Sequence, residues 1–201
     1  FLFNTLQGLS TLINTDQQTA QTMLFTLAEL LRTALKHGTA DLVSVREELD
    51  FLKAYLYLEQ LRLGKRLEVR WRISPEVHDA FIPQLLLQPL IENAIVHGVS
   101  SSQGPGWVQI EASAGDERLL VVIRNSIGGV SQPGLGVGIA NTRARLRYLY
   151  GDDASFEFEV VDGQGAAAQI SIPAFRTPGE NGVGSHEEAL RCESLLSTTS
   201  R

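Results

Sequence analysis

At 201 residues, with 43% apolar and 20% charged side chains, the chain can build one ordinary globular core with an added helical segment. Its net charge of −6 and isoelectric point near 5.2 leave no basic footprint, which excludes nucleic acid as a direct partner. A single cysteine, Cys192, excludes an internal disulfide and fits a reducing compartment, and no uninterrupted apolar run reaches the roughly 18 residues of a membrane span, so the chain as given reads as soluble.

Residues 1–62 read as helix throughout. Leu2, Leu6, Leu9 and Ile13 recur at helical spacing, and after a turn at Asn14-Thr15 a second stripe follows at Leu24, Leu27, Leu31 and Ala34. Thr15 with Gln18, and Ser44 with Glu47, stand at capping-box spacing, and Gly38 lies where the second helix is expected to stop. The third helix is predicted from Ser44 through EELDFLKAYLYLEQLRLG to about Gly64. Two fates are open to the first two stripes. They can pack on the rest of the chain, or they can pair with a second copy in a four-helix bundle that also buries Phe1, Phe3 and Phe25.

From Leu67 the apolar period changes to 2. Leu67, Val69, Trp71 and Ile73 alternate with charged residues, and Val108, Ile110 and Ala112 follow the same rule. RLLVVIRNS, FEFEVV and AAAQISIP supply three more strands, and between them lie helices predicted at 83–98 and about 138–150. This order implies an α+β chain: N-terminal helices, then an α/β sandwich with a mixed sheet and helices on one face. Beyond Pro173 the sequence is rich in Gly, Ser, Thr and charge, and a mobile tail is expected, with at most a short helix around 185–195.

The chemistry is concentrated in two stretches. PQLLLQPLIENAIVHGVS reads as a buried apolar helix until Asn93 and His97 appear one turn apart. A Mg²⁺ ion that arrives with a nucleotide asks the protein for only one or two oxygen ligands, and the Asn93 carboxamide can be one. His97 can donate to a phosphate or line the site; the alternative for both is a polar side chain satisfied by neighbouring backbone. The second stretch packs Gly128, Gly129, Gly134, Gly136 and Gly138 between a strand and a helix, where backbone N–H groups can approach an anion. A plain glycine-rich connection is the competing reading. No G-K-[ST] follows, and Ile139 stands where a dinucleotide fingerprint starting at Gly134 needs its third glycine.

FLFNTL, LAELLRTAL, VSVREELDFLKAYLYLEQLRLGKRL, IPQLLLQPLIENAIVHG and GLGVGIANTRARLRYLYG together resemble the sensor histidine kinases of the LytS (autolysin-sensor) type, in order and spacing, over residues 1 to about 173. The resemblance implies a helical dimerisation and phosphotransfer segment (1–62), an ATP-binding kinase domain with the fold shared by gyrase and MutL (63–175) and a mobile tail (176–201). It implies ATP and Mg²⁺ as cofactors, with Asn93 on the metal, and Asn93, His97, Asn125, Gly129, Gly134, Gly136, Gly138 and Asn141 around the nucleotide. Arg62, Asn141 and Arg145 match recurrent family positions, and Asn93, His97 and Arg145 are the candidate catalytic residues. The implied partners are a second copy through the N-terminal helices and a response regulator, and the implied setting is the cytoplasmic side of a membrane-associated sensor whose membrane region lies upstream.

Three departures from the family pattern stand out. Asn125 replaces the aspartate of the first glycine box, and an amide oxygen accepts more weakly than a carboxylate. Val96 replaces a lysine that reaches the phosphates in many such kinases, leaving Arg143 or Arg145 as substitutes. The phosphoacceptor histidine immediately precedes FLFN in the family, so it is expected upstream of Phe1. Kinase action and a non-catalytic nucleotide-binding dimerisation module both remain open on this basis. Steady ATP hydrolysis of the gyrase kind is not expected, because Pro89 occupies the position one turn before Asn93 where the hydrolases carry a glutamate base, and Glu92 points about 100° away from Asn93. His97, on a rigid helix, is expected to support the site and not to accept the phosphoryl group.

Overall fold

The computed structural model describes residues 2–36, 42–100, 104–126, 137–161 and 165–174. The expected helix stop at Gly38, the glycines 128, 129, 134 and 136, and the tail from 176 lie outside these residues.

Two helices open the chain, α1 (Leu2–Leu12) and α2 (Gln17–Lys36). The turn between them is capped one residue later than the spacing suggests: the Asp16 carboxylate accepts from the Thr19 backbone N–H at 3.0 Å and from its hydroxyl at 2.6 Å. Thr15 instead donates back to the Thr11 carbonyl at 3.1 Å. A carboxylate outcompetes a hydroxyl for the free N–H groups at a helix start. The predicted apolar stripes pack inward only in part, with Leu27 buried and Leu9 and Ala34 packed against the core. Leu2, Leu6, Ile13, Leu24 and Leu31 are exposed, as are Phe3 at 82% and Phe25 at 68%, whereas Ala20, Met23, Leu27 and Leu30 face the core.

A short strand β1 (Leu42–Ser44) runs into α3 (Val45–Leu63). The capping box forms as its sequence signature requires: Glu47 N–H donates to Ser44 Oγ at 3.2 Å, and Ser44 N–H to Glu47 Oε2 at 2.9 Å. Gly64 closes the helix at φ 58. We expect Ser44→Ala to cost about 1 kcal/mol, the usual worth of such a cap, measured as a shift of the urea midpoint with an unchanged slope. Val45, Leu49, Leu52, Tyr55 and Leu56 are all buried, so α3 sits in the common core with the sheet.

The main sheet has five strands in the order β2-β4-β5-β7-β6, with β2 (Leu67–Ile73), β4 (Gly106–Gly115), β5 (Arg118–Asn125), β6 (Ser155–Val161) and β7 (Gly165–Pro173). β2 runs parallel to β4 and the other pairs are antiparallel. Period-2 alternation sets the register: Ile110, Ile123 and Ala168 lie in one row and Ala112, Val121 and Ile170 in the next, all buried under the helices. The other face carries Gln109, Glu111 and Arg124, joined by hydrogen bonds and an ion pair.

The predicted helix at 83–98 is displaced. Phe81–Pro83 forms a strand, β3, antiparallel to β1, and α4 begins only at Gln88 and runs to Asn93. The chain then continues in wider, π-helical winding over Ala94–Ser100. The last helix, α5 (Val137–Tyr150), lies where it was expected and packs on α4.

Candidate functional site

The turn that leads into α4 is held from both sides. Leu85 adopts φ 56, a left-handed conformation that costs a leucine free energy unless its surroundings fix it. Glu48 of α3, only 1% exposed, accepts from the Leu85 N–H at 2.8 Å and from the Leu87 N–H at 3.0 Å. Burial pushes the Glu48 carboxyl up to about 7, against the downward pull of those N–H groups and of Arg145. From α5, Arg145 Nη1 donates to the Gln84 carbonyl at 2.7 Å, and burial lowers its guanidinium below the usual range. The Gln84 side chain reaches α2, donating to the Thr33 carbonyl at 3.2 Å.

α4 carries the metal candidate at its last residue, where Asn93 is half-buried. Glu92 accepts from Gln88 Nε2 at 2.8 Å, a structural contact one turn back on the same helix. Pro89 touches α5: a Cβ added at Gly138 would lie 3.2 Å from the Pro89 side chain, so the glycine sets a close approach of the two helices. Beyond Asn93 the π winding takes more residues per turn, and His97, expected inside the pocket, is exposed together with Val96.

The end of β5 meets this helix at Asn125, which is 6% exposed. Its Nδ2 donates to the Ser126 carbonyl at 2.9 Å and lies where Gly98 leaves room: a Cβ at Gly98 would come within 2.1 Å of it. On the opposite side, a Cβ at Gly165, itself at φ 128, would come within 2.1 Å of the Asn125 backbone oxygen. Gly106 does the same for Ser126, whose Oγ accepts from the Trp107 N–H at 2.9 Å. Glycine is required at these positions because backbone and amide pass too close for any side chain.

The structure therefore brings the Asn93 helix, Asn125 and Gly138 into one region, with Asn141 one turn after Gly138 on the same helix. Asn141 is exposed on α5. Arg143, a candidate replacement for the missing lysine, stacks over the Phe156 ring at 5.3 Å. Arg145 is turned to Gln84 and Glu48, a position of support for the α4 entry. Arg62 donates through Nε to Glu59 at 3.0 Å, and Glu59 is buried. Gly129, Gly134 and Gly136 lie outside the described residues.

Residues 1–67 match the family model described as Histidine kinase. The sensor histidine kinase YpdA of Escherichia coli K12 is 34% identical over 163 residues, covering 76% of this chain and 29% of that protein. The sensor protein LytS of Oceanobacillus iheyensis is 29% identical over 189 residues, covering 86% of this chain and 32% of the relative. Over the matched residues the chain is similar to sensor histidine kinases, those of the LytS type among them. It spans about a third of the length of these curated relatives. Among solved structures, full-length ShkA in complex with AMPPNP shares the fold of this chain at a TM-score of 0.50 and 19% identity, over 88% of this chain and 44% of ShkA.

Proposed function

We propose that the chain binds ATP with Mg²⁺ between α4, the end of β5 and the start of α5, and acts as the catalytic portion of a two-component histidine kinase. The γ-phosphoryl group passes from ATP to a histidine imidazole upstream of Phe1, with the bond to the ADP oxygen breaking as the N–P bond forms, and then to a response-regulator aspartate. The observation that carries this reading is the junction of Asn125 with Gly98, which joins the strand end and the Asn93 helix at one place. The Asn93 carboxamide oxygen is a hard donor of the type Mg²⁺ takes. When bound, the ion supplies charge neutralisation for the phosphates. The protein's own share is positioning: Asn93 orients the phosphate end, Asn125 lies at the base end, and His97 stands on the exposed part of the same helical run.

The exposed face of α1 and α2 supports a homodimer through these helices. Phe3, Phe25 and Leu35 are more exposed than large apolar side chains are kept without a partner. Light scattering at micromolar concentration should return twice the 22.0 kDa chain mass; a strict monomer would count against the bundle. Among the described residues no helix is long and apolar enough to cross a membrane, and we place the chain on the cytoplasmic side of a sensor anchored elsewhere.

The test of the kinase reading is phosphoryl transfer. Incubated with Mg-ATP labelled at the γ-phosphate, the chain alone should stay unlabelled, and a version extended upstream to the family's histidine should take up acid-labile, base-stable label. Asn93→Ala should abolish it. Binding of Mg-ATP without transfer to the supplied histidine would mark a non-catalytic module, and strong labelling of the short chain that disappears in His97→Ala would overturn the assignment.

A further inference from the structure

Resting on the Mg-ATP reading above, we infer that Glu48 and Arg145 are positioning residues that fix the metal ligand Asn93 from outside the site. The two side chains come from different helices, α3 and α5, and close on one turn, residues 84–87. Glu48 accepts both the Leu85 and the Leu87 N–H, and Arg145 donates to the Gln84 carbonyl. The guanidinium and carboxylate also attract each other across the turn. Leu85 sits at φ 56 between the two grips, a conformation that a leucine keeps only where its neighbours hold it. The next elements follow without slack: Leu87 caps α4, which runs to Asn93 at its last residue. At about 1.5 Å rise per residue the six residues of α4 span roughly 9 Å, so the held turn and Asn93 are the two ends of one short helix.

α5 begins beside the glycine stretch and touches Pro89 through Gly138. Arg145 therefore ties the helix that follows the glycines to the turn that precedes the metal ligand, and Glu48 sets that turn against α3. Glu48 is buried, and the half-buried Arg145 gives its guanidinium to the Gln84 carbonyl. A buried carboxylate is an expensive way to hold two amide groups, since desolvation opposes its charge. Its value lies in fixing a conformation the backbone would otherwise leave. Groups hydrogen-bonded directly behind the ligands of other metal sites typically cost about 10–100-fold in metal affinity when lost; Glu48 and Arg145 act one step further out, on the turn that starts the ligand's helix.

The experiment compares the affinity of ATP with Mg²⁺ and with EDTA, by calorimetry, for the wild type, Asn93→Ala, Glu48→Gln, Arg145→Lys and the double variant Glu48→Gln/Asn93→Ala. Glu48→Gln should keep a cooperative thermal transition yet lose about tenfold of Mg-ATP affinity, with ATP in EDTA changed much less. In the Asn93→Ala background, Glu48→Gln should have no further effect on the Mg²⁺ dependence, because both act on one contact. Should Glu48→Gln fail to fold, Arg145→Lys gives the same readout with a shorter reach and the charge kept. Equal losses with and without Mg²⁺, or additive losses in the double variant, would overturn the inference by reducing the clamp to general stability. If the wild type shows no Mg²⁺ dependence, or Asn93→Ala leaves it intact, the nucleotide reading itself falls, and the clamp falls with it.

Discussion

Gly98→Ala is expected to lower ATP affinity at least tenfold, equivalent to about 1.4 kcal/mol, and stability by about 1–3 kcal/mol, the usual range for overpacking. The added Cβ would stand 2.1 Å from Asn125 Nδ2, 2.8 Å from Asn125 Cγ and 2.8 Å from the Ser126 carbonyl oxygen. None of these can retreat easily. Asn125 is buried, its amide is bonded to Ser126, and its backbone oxygen already faces Gly165 at a distance that excludes a Cβ. The strain must then move either the amide or the helix that carries Asn93, and both belong to the proposed site. A double variant, Gly98→Ala/Asn125→Ala, separates the effects: it should recover part of the stability by removing the obstructing amide, the Ser126 carbonyl remaining 2.8 Å away, while nucleotide binding stays weak. Calorimetry and urea unfolding read the two quantities, and wild-type ATP affinity in Gly98→Ala would remove Asn125 from the site.

Local signals were legible in the sequence, and long-range ones were not. The Ser44–Glu47 box and the alternation in β2, β4 and β5 involve residues whose relation is set by the period of one element, so the spacing alone predicts them. The start of α4 was predicted five residues too early because Pro83 pairs with Leu42, a partner about forty residues away that no local pattern announces. The π winding after Asn93 falls on AIVHGVS, where β-branched residues and a glycine favour ordinary helix weakly, but the apolar spacing reads as helix all the same; His97 within it is exposed.

The site was legible in part. Asn93, Asn125 and Gly138 could be named from their motifs, but Gly98 read only as a neighbour of His97, since its reason is the approach of Asn125 from another element. Glu48 had a signal that went unused. Val45, Leu49, Leu52, Tyr55 and Leu56 form the buried stripe of α3, and Glu48 and Glu59 fall on that same stripe at helical spacing. A carboxylate on an apolar face needs a buried partner, and for Glu48 the partners are the Leu85 and Leu87 N–H groups.

That buried carboxylate leads to the second large effect, a pH dependence of stability specific to Glu48. Its carboxyl is raised from 4.5 to about 7, first by burial, with the Leu87 and Leu85 N–H groups and Arg145 opposing. A raised acid favours the folded state while it is protonated in both states, so its contribution is complete below about 4.5 and is lost as pH climbs through about 7. The loss amounts to about 3 kcal/mol at most, since one pKa unit corresponds to about 1.36 kcal/mol. The charge acting on it is Arg145 from α5, and Glu29 from α2 with Glu47 and Asp50 from α3 line the adjoining cavity. Glu48→Gln cannot titrate, and its amide faces two N–H donors with one carbonyl, which gives a constant offset. Urea unfolding of both proteins from pH 5 to pH 8 should therefore show the wild type losing stability relative to Glu48→Gln as pH rises. Parallel curves would mean that the two N–H groups and Arg145 keep Glu48 ionised throughout, with burial the weaker influence. A falling wild-type curve would mean that near neutral pH the protein holds an unfavourable charge at the entry to α4, a cost that the position of Asn93 explains and packing alone does not.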